Sequence, residues 1–126
     1  MQGIQLGDLR IEVTEPAADR IELRWTGASN ERDPATGLKA FFDGVFAEAA
    51  KRGATVVQHF EALTFFNSST VSTLLRVVAE SGRIGVPMTL YYDRSLRWQA
   101  HNFEGIASLA PTVPLLKVEG IDKQGL

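Results

Sequence analysis

The sequence predicts one α/β domain over residues 1–126, with an N-terminal hairpin followed by strands that are mainly parallel. Three observations carry this. Apolar and polar residues alternate with period two between Leu9 and Trp25. Farther on, apolar residues recur at three- and four-residue steps around Phe42, Leu74 and Phe103. Short β-prone runs separate those stripes, and strands alternating with helices imply parallel pairing through right-handed crossovers.

In the hairpin, Leu9, Ile11 and Val13 alternate with Arg10, Glu12 and Thr14. After the breaker Glu15-Pro16-Ala17-Ala18-Asp19, Ile21, Leu23 and Trp25 alternate with Arg20, Glu22 and Arg24. Each strand thus buries one face, as expected at a sheet margin. Gly27 to Gly37 has the composition of a loop. Leu38, Phe41, Phe42, Val45, Phe46 and Ala49 then form one helical stripe that ends at Arg52-Gly53. Gly44 lies inside it at a propensity cost of about 1 kcal/mol relative to Ala, which suggests close packing against a neighbour.

A short strand is expected over residues 54–60. Leu63, Phe65 and Phe66 lead into Asn67-Ser68-Ser69-Thr70, and Val71, Leu74, Leu75 and Val78 give the stripe of a second helix closed by Ser81-Gly82. Residues 86–92 read as a strand with Pro87 at its start, where a missing donor is tolerated. Asp93-Arg94-Ser95 reads as a turn and helix cap, followed by a third helix from about Leu96 to Ala110 with Ala100, Phe103, Ile106 and Ala107 facing inward. Leu115, Leu116 and Val118 suggest a last edge strand before the polar tail from Glu119 to Leu126.

Composition narrows the function. Hydrophobic residues make up 44% and charged residues 22%, as in folded soluble domains. The net charge of −2, from 13 basic and 15 acidic residues, provides no field to draw in nucleic acid or an anionic membrane. Cysteine is absent, which excludes disulfides, thiolate chemistry and Cys-based metal sites. The start lacks a signal-peptide pattern and no run is long enough to span a bilayer, so a cytoplasmic location without membrane insertion is expected. His59 and His101 read as a strand-end and a helix-surface residue, with no metal cluster around either. No nucleophile elbow or phosphate-binding glycine loop is present, so no catalytic residue, cofactor or enzymatic activity is expected.

The residue pattern at Asn67 to Thr70 places an amide and three hydroxyls at a helix start, where the first backbone N–H groups lack partners. Capping is one use of such residues. A phosphoacceptor is another: phosphorylation of Ser68 or Ser69 would add about 1.5 to 2 negative charges, which a helix start tolerates.

From Val56 through Thr73 the chain resembles the STAS domain family, the fold of bacterial anti-sigma factor antagonists. That family places a strand ending in Asp, a short connection and two apolar residues before Asp-Ser-Ser or Asp-Ser-Thr, usually followed by Gly. Here Asn67 falls at the second Asp, Ser68 at the first hydroxyl residue, and Ser69 at the position that partner kinases phosphorylate. His59 stands at the earlier Asp and Thr70 at the Gly, where its bulk is expected to crowd a partner. The stretch Tyr91-Tyr92-Asp93-Arg94-Ser95-Leu96-Arg97-Trp98-Gln99, followed by Phe103, is similar to a little-characterised bacterial branch of STAS-like regulators.

The resemblance implies a STAS-like mixed sheet with helices chiefly on one face. It also implies a regulatory module that binds a protein partner, an anti-sigma factor or a serine kinase, and is switched by phosphorylation of Ser69 or Ser68. The expected docking residues are Asn67, Ser68, Ser69 and Thr70, with Arg94, Arg97 and Trp98 as an aromatic and basic patch. Trp98 also suits the core, and Trp25 reads as core or sheet-edge packing. Two alternatives stand beside this reading. One is a constitutive scaffold that has lost modification, favoured by His59, Asn67 and Thr70. The other is a sensor of a small anionic ligand at the helix start.

Overall fold

The computed structural model describes residues 1–122. Its elements are β1 (Ile4–Leu6), β2 (Leu9–Ala17), β3 (Arg20–Ser29), α1 (Pro34–Arg52), β4 (Thr55–His59), β5 (Leu63–Phe66), α2 (Ser68–Ile84), β6 (Met88–Asp93), α3 (Arg97–Ala107) and β7 (Leu116–Ile121), with a 3₁₀ turn at Ala110–Thr112. Strand order is β1-β2-β3-β4-β6-β7, and β5 pairs with the far end of β3. The N-terminal three strands are antiparallel; β3 with β4, β3 with β5, β4 with β6, and β6 with β7 are parallel. This is a mixed sheet with helices packed on one face, the STAS-like arrangement expected.

Register aligns the inward residues across the sheet. Ile21 lies opposite Val56, which lies opposite Met88; Leu23 lies opposite Gln58, which lies opposite Leu90. These side chains are all fully buried beneath the helices. On the other face, Glu22, Arg24, His59 and Tyr91 share rows left open to solvent. The hairpin's alternation therefore reflects this uncovered face. It does not mark the margin, because β3 lies inside the sheet between β2 and β4.

Several boundaries differ from expectation. Strand β2 runs through Pro16 to Ala17, with its register shifted between Thr14 and Ala17, so Pro16 falls at a bulged end where its lost donor matters little. Strand β3 continues to Ser29, past Gly27, whose φ of +81° sits where a Cβ would collide with the Asp8 carbonyl oxygen. Helix α1 already begins at Pro34, a position that suits proline's fixed φ and missing donor. The supposed loop from Gly27 to Gly37 is thus mostly strand and helix. Gly44 packs against nothing: no atom lies within 4 Å of the place its Cβ would occupy. Strands β1 and β5 are additional to those expected. Helix α3 stops at Ala107. The expected last strand is present as β7, extending through Ile121, while residues 123–126 of the polar tail lie outside the described residues.

Aromatic rings join the two halves of the core. Trp25 packs on Phe60 at 4.9 Å, Phe60 on Phe103 at 4.7 Å, and Phe103 stacks on Tyr92 at 5.3 Å. Trp25 is wholly buried, and its Nε1–H donates to Gln58 Oε1 at 2.8 Å, giving each buried polar group a partner. Gln99, also fully buried, accepts from the Asp93 N–H at 2.8 Å and donates to the carbonyls of Phe60 and Leu63. One side chain thereby fastens the start of α3 to the turn between β4 and β5.

Candidate docking corner

Strand β5 delivers the chain directly to α2, and Asn67 at the junction has the extended backbone of a helix cap. Its Oδ1 accepts from the Thr70 N–H at 2.9 Å and from the Thr70 hydroxyl at 2.8 Å. Because an amide oxygen only accepts, the Thr70 proton is spent on it, and the Ser29 hydroxyl donates to Thr70 Oγ1 across 2.7 Å. At its other end, Asn67 Nδ2 donates to the Glu31 carbonyl at 2.9 Å, while the Asn67 N–H donates to the Ser29 carbonyl at 3.0 Å. A carboxylate at position 67 could cap α2 but could not make the bond to Glu31. The amide therefore holds the β3–α1 loop against the first turn of α2.

Thr70 is fully buried and points beneath the corner. This corrects both its expected contact with a partner and the expected crowding: its side chain is a strut for Asn67 and Ser29. With capping assigned to Asn67, Ser68 and Ser69 remain exposed, and neither hydroxyl is hydrogen bonded within the described residues. They differ in surroundings. Ser69 lines a surface cavity of about 290 Å³ together with Arg32, Asp33, Ser72, Thr73 and Arg76, whereas Ser68 does not.

Phe65 adds an apolar element that the sequence reading did not single out. It is 49% exposed two residues before Asn67, while Phe66 turns into the core. The signal was present in the paired phenylalanines, since successive strand residues face opposite ways. Trp98 is half-buried and meets Phe66 edge-on at 5.2 Å, so it belongs both to the core margin and to the flank of the corner. Arg97, the first residue of α3, is exposed beside it in sequence. Arg94 is exposed too, but its Cβ lies next to Gly120 of β7. Asp93 forms a turn by accepting from the Ser95 N–H and hydroxyl, but it does not cap α3, whose cap position is Leu96.

On the open face, His59 lies between two carboxylates, with Nε2 2.8 Å from Glu22 and Nδ1 3.2 Å from Glu61, and it stacks on Tyr91. Hydrogen bonding to Glu61, then to Glu22, raises its pKa above the ordinary imidazole value against the opposing effect of burial. His101 is exposed on α3. Among the described residues no group of three or more His, Asp or Glu is arranged to hold a metal, and no helix is long and apolar enough to cross a membrane.

These features define an α/β module of STAS-like fold with two free serine hydroxyls at a capped helix start. A solved structure of similar fold is that of the anti-sigma factor antagonist SpoIIAA in its unphosphorylated form, with a TM-score of 0.59 and 16% identity over 91% of this chain and 90% of that one. No protein-family model matches the chain, and no curated protein matches it in sequence.

Proposed function

We propose that this chain is a non-catalytic regulatory module of the anti-sigma factor antagonist type. It docks a protein partner over Ser68, Ser69 and Phe65 and is released by phosphorylation of Ser69. The observation that carries the proposal is the division of labour at the corner: Asn67 and Thr70 satisfy the helix start, so both serine hydroxyls are exposed and unspent. The fold shared with an anti-sigma factor antagonist supports the same reading.

The partner is an anti-sigma factor or serine kinase, and the nucleotide is the partner's. In the transfer, Ser69 Oγ forms a bond to the γ-phosphorus of ATP, the bond to the bridging oxygen of ADP breaks, and the hydroxyl proton passes to a base on the kinase. Incubation with the cognate kinase and ATP is expected to add one phosphate by intact mass, and Ser69→Ala to abolish the gain. No gain, or an unchanged gain in Ser69→Ala, refutes the switch.

A constitutive scaffold is the second reading, favoured by the Asn67 amide, which is tied to its own chain at both ends and leaves no carboxylate at that position. Equal capture of the partner by wild type, Ser69→Ala and Ser69→Asp supports that scaffold.

A further inference from the structure

Beside Ser69, the loop from Asn30 to Asp33 brings Arg32 to one wall of the cavity, and α2 brings Arg76 to another. Both arginines are exposed, and neither has an ion pair or side-chain hydrogen bond among the described residues. Some basic side chains elsewhere are engaged, as Lys39 with Asp43, Arg52 with Glu15 and Glu48, and Arg83 with Glu80, while others such as Arg24, Arg94 and Arg97 are not. What sets Arg32 and Arg76 apart is that both border the cavity of Ser69. Two unengaged guanidinium groups bordering the cavity of one of two neighbouring serines single out that serine.

We propose that Arg32 and Arg76 form an internal receptor for a phosphate monoester on Ser69. The inference rests on Ser69 being the modified residue, and it alters what modification does.

Helix geometry supports the reach of Arg76. Residues 69 and 76 are two turns apart on the same face, roughly 10 Å along the axis. Side chains on a helix lean toward its N-terminus, so Arg76 leans back toward Ser69. Ser72 and Thr73, which lie between, present only small side chains to the cavity. Arg32 is placed by the corner itself, because Asn67 Nδ2 holds the carbonyl of the preceding residue, Glu31, at 2.9 Å. Asn67 is thus a positioning residue for Arg32.

The opposing charge in the cavity is Asp33, whose Oδ2 accepts from the Thr36 hydroxyl at 2.9 Å. With Arg32 and Arg76 counted against Asp33, the unmodified site carries a net charge of +1. A phosphate dianion brings the site to −1 and draws both guanidinium groups into charge-assisted hydrogen bonds. Phosphorylation therefore removes two cations from the docking surface as well as adding an anion. An acidic partner loses its attraction through both changes.

The test uses protein with phosphoserine installed at position 69 during translation, so that no kinase is involved. The phosphorus NMR signal is titrated against pH. The second phosphate pKa, ordinarily about 6, is expected to fall by about one unit in the internal receptor. Arg32→Gln and Arg76→Gln are each expected to restore part of the shift, and the double variant to leave only the smaller depression that a helix start gives by itself. Phosphoserine at position 68, at the same helix start but outside the cavity, is expected to show only that smaller depression. A midpoint at position 69 no lower than that at position 68, or one unchanged in the double variant, overturns the proposal. Failure of a kinase to modify Ser69 bears on the switch alone, and failure of this titration on the arginine receptor alone.

Discussion

His59 shows how far one residue's state follows from its neighbours. A neutral imidazole has a single N–H, so it can donate to Glu22 or to Glu61 but not to both; the two contacts are favourable together only for the cation. Other charged and titratable groups near it are Glu12 of β2, Arg24 of β3 and Tyr91 of β6. Its native pKa is raised, so its contribution to stability is complete below the unfolded value of about 6.5 and is lost as pH climbs through the native value. The urea midpoint should accordingly fall as pH rises from about 6.5 into the alkaline range, and His59→Gln should remove that component. An equal decline in the variant would refute the clamp. The sequence places His59 at a strand end, but Glu22 is 37 residues away, and only the parallel pairing of β3 with β4 brings them together.

At the scale of elements, the helices illustrate which local signals are sufficient. The stripe of α1 predicts its buried face because a period near 3.6 leaves few other ways to bury those residues. In α2, by contrast, only Leu74 and Val78 of the expected stripe are buried and Val71 and Leu75 are half-buried, while Thr70, Thr73, Val77 and Ser81 complete the inward face. Gly44 is a case where local reasoning suggests the wrong cause. Its helical position invites a close neighbour, yet its face of α1 is open. Gly44→Ala should therefore stabilise the protein by about 0.5–1 kcal/mol through better helix propensity, measured by urea denaturation. A loss of stability would mean that something does approach this face. Strand β5 is the reverse case. Four residues between a turn and a helix are too short to show a period, and its strand character comes from pairing with the extension of β3 beyond Gly27.

For the molecule as a whole, the corner depends on connections from distant parts of the chain. Gln99 links the α3 region to the β4–β5 turn, upstream of the strand that delivers Asn67. Gln99→Leu keeps a similar volume but leaves the Asp93 N–H and the carbonyls of Phe60 and Leu63 without their side-chain partner. A loss of about 2–4 kcal/mol is expected, read from denaturant unfolding, together with faster hydrogen exchange at the Asp93 amide. A change below about 0.5 kcal/mol would show that Gln99 is not the fastening. Sequence reading identifies Gln99 within the Trp98-Gln99 segment but does not reveal its burial, since glutamine is mostly an exposed residue.

The amino-acid sequence by itself determined the α/β class, the main helices, the hairpin and the placement of Asn67, Ser68 and Ser69 at the start of α2. Those features depend on spacing along the chain, through periodicity and capping chemistry. Tertiary structure decided which hydroxyls are free, turned Thr70 inward, exposed Phe65, set Trp98 against Phe66, and brought Arg32 and Arg76 to the cavity beside Ser69. Such features depend on contacts between segments tens of residues apart, and their geometry is fixed only when the sheet register and helix packing are formed together.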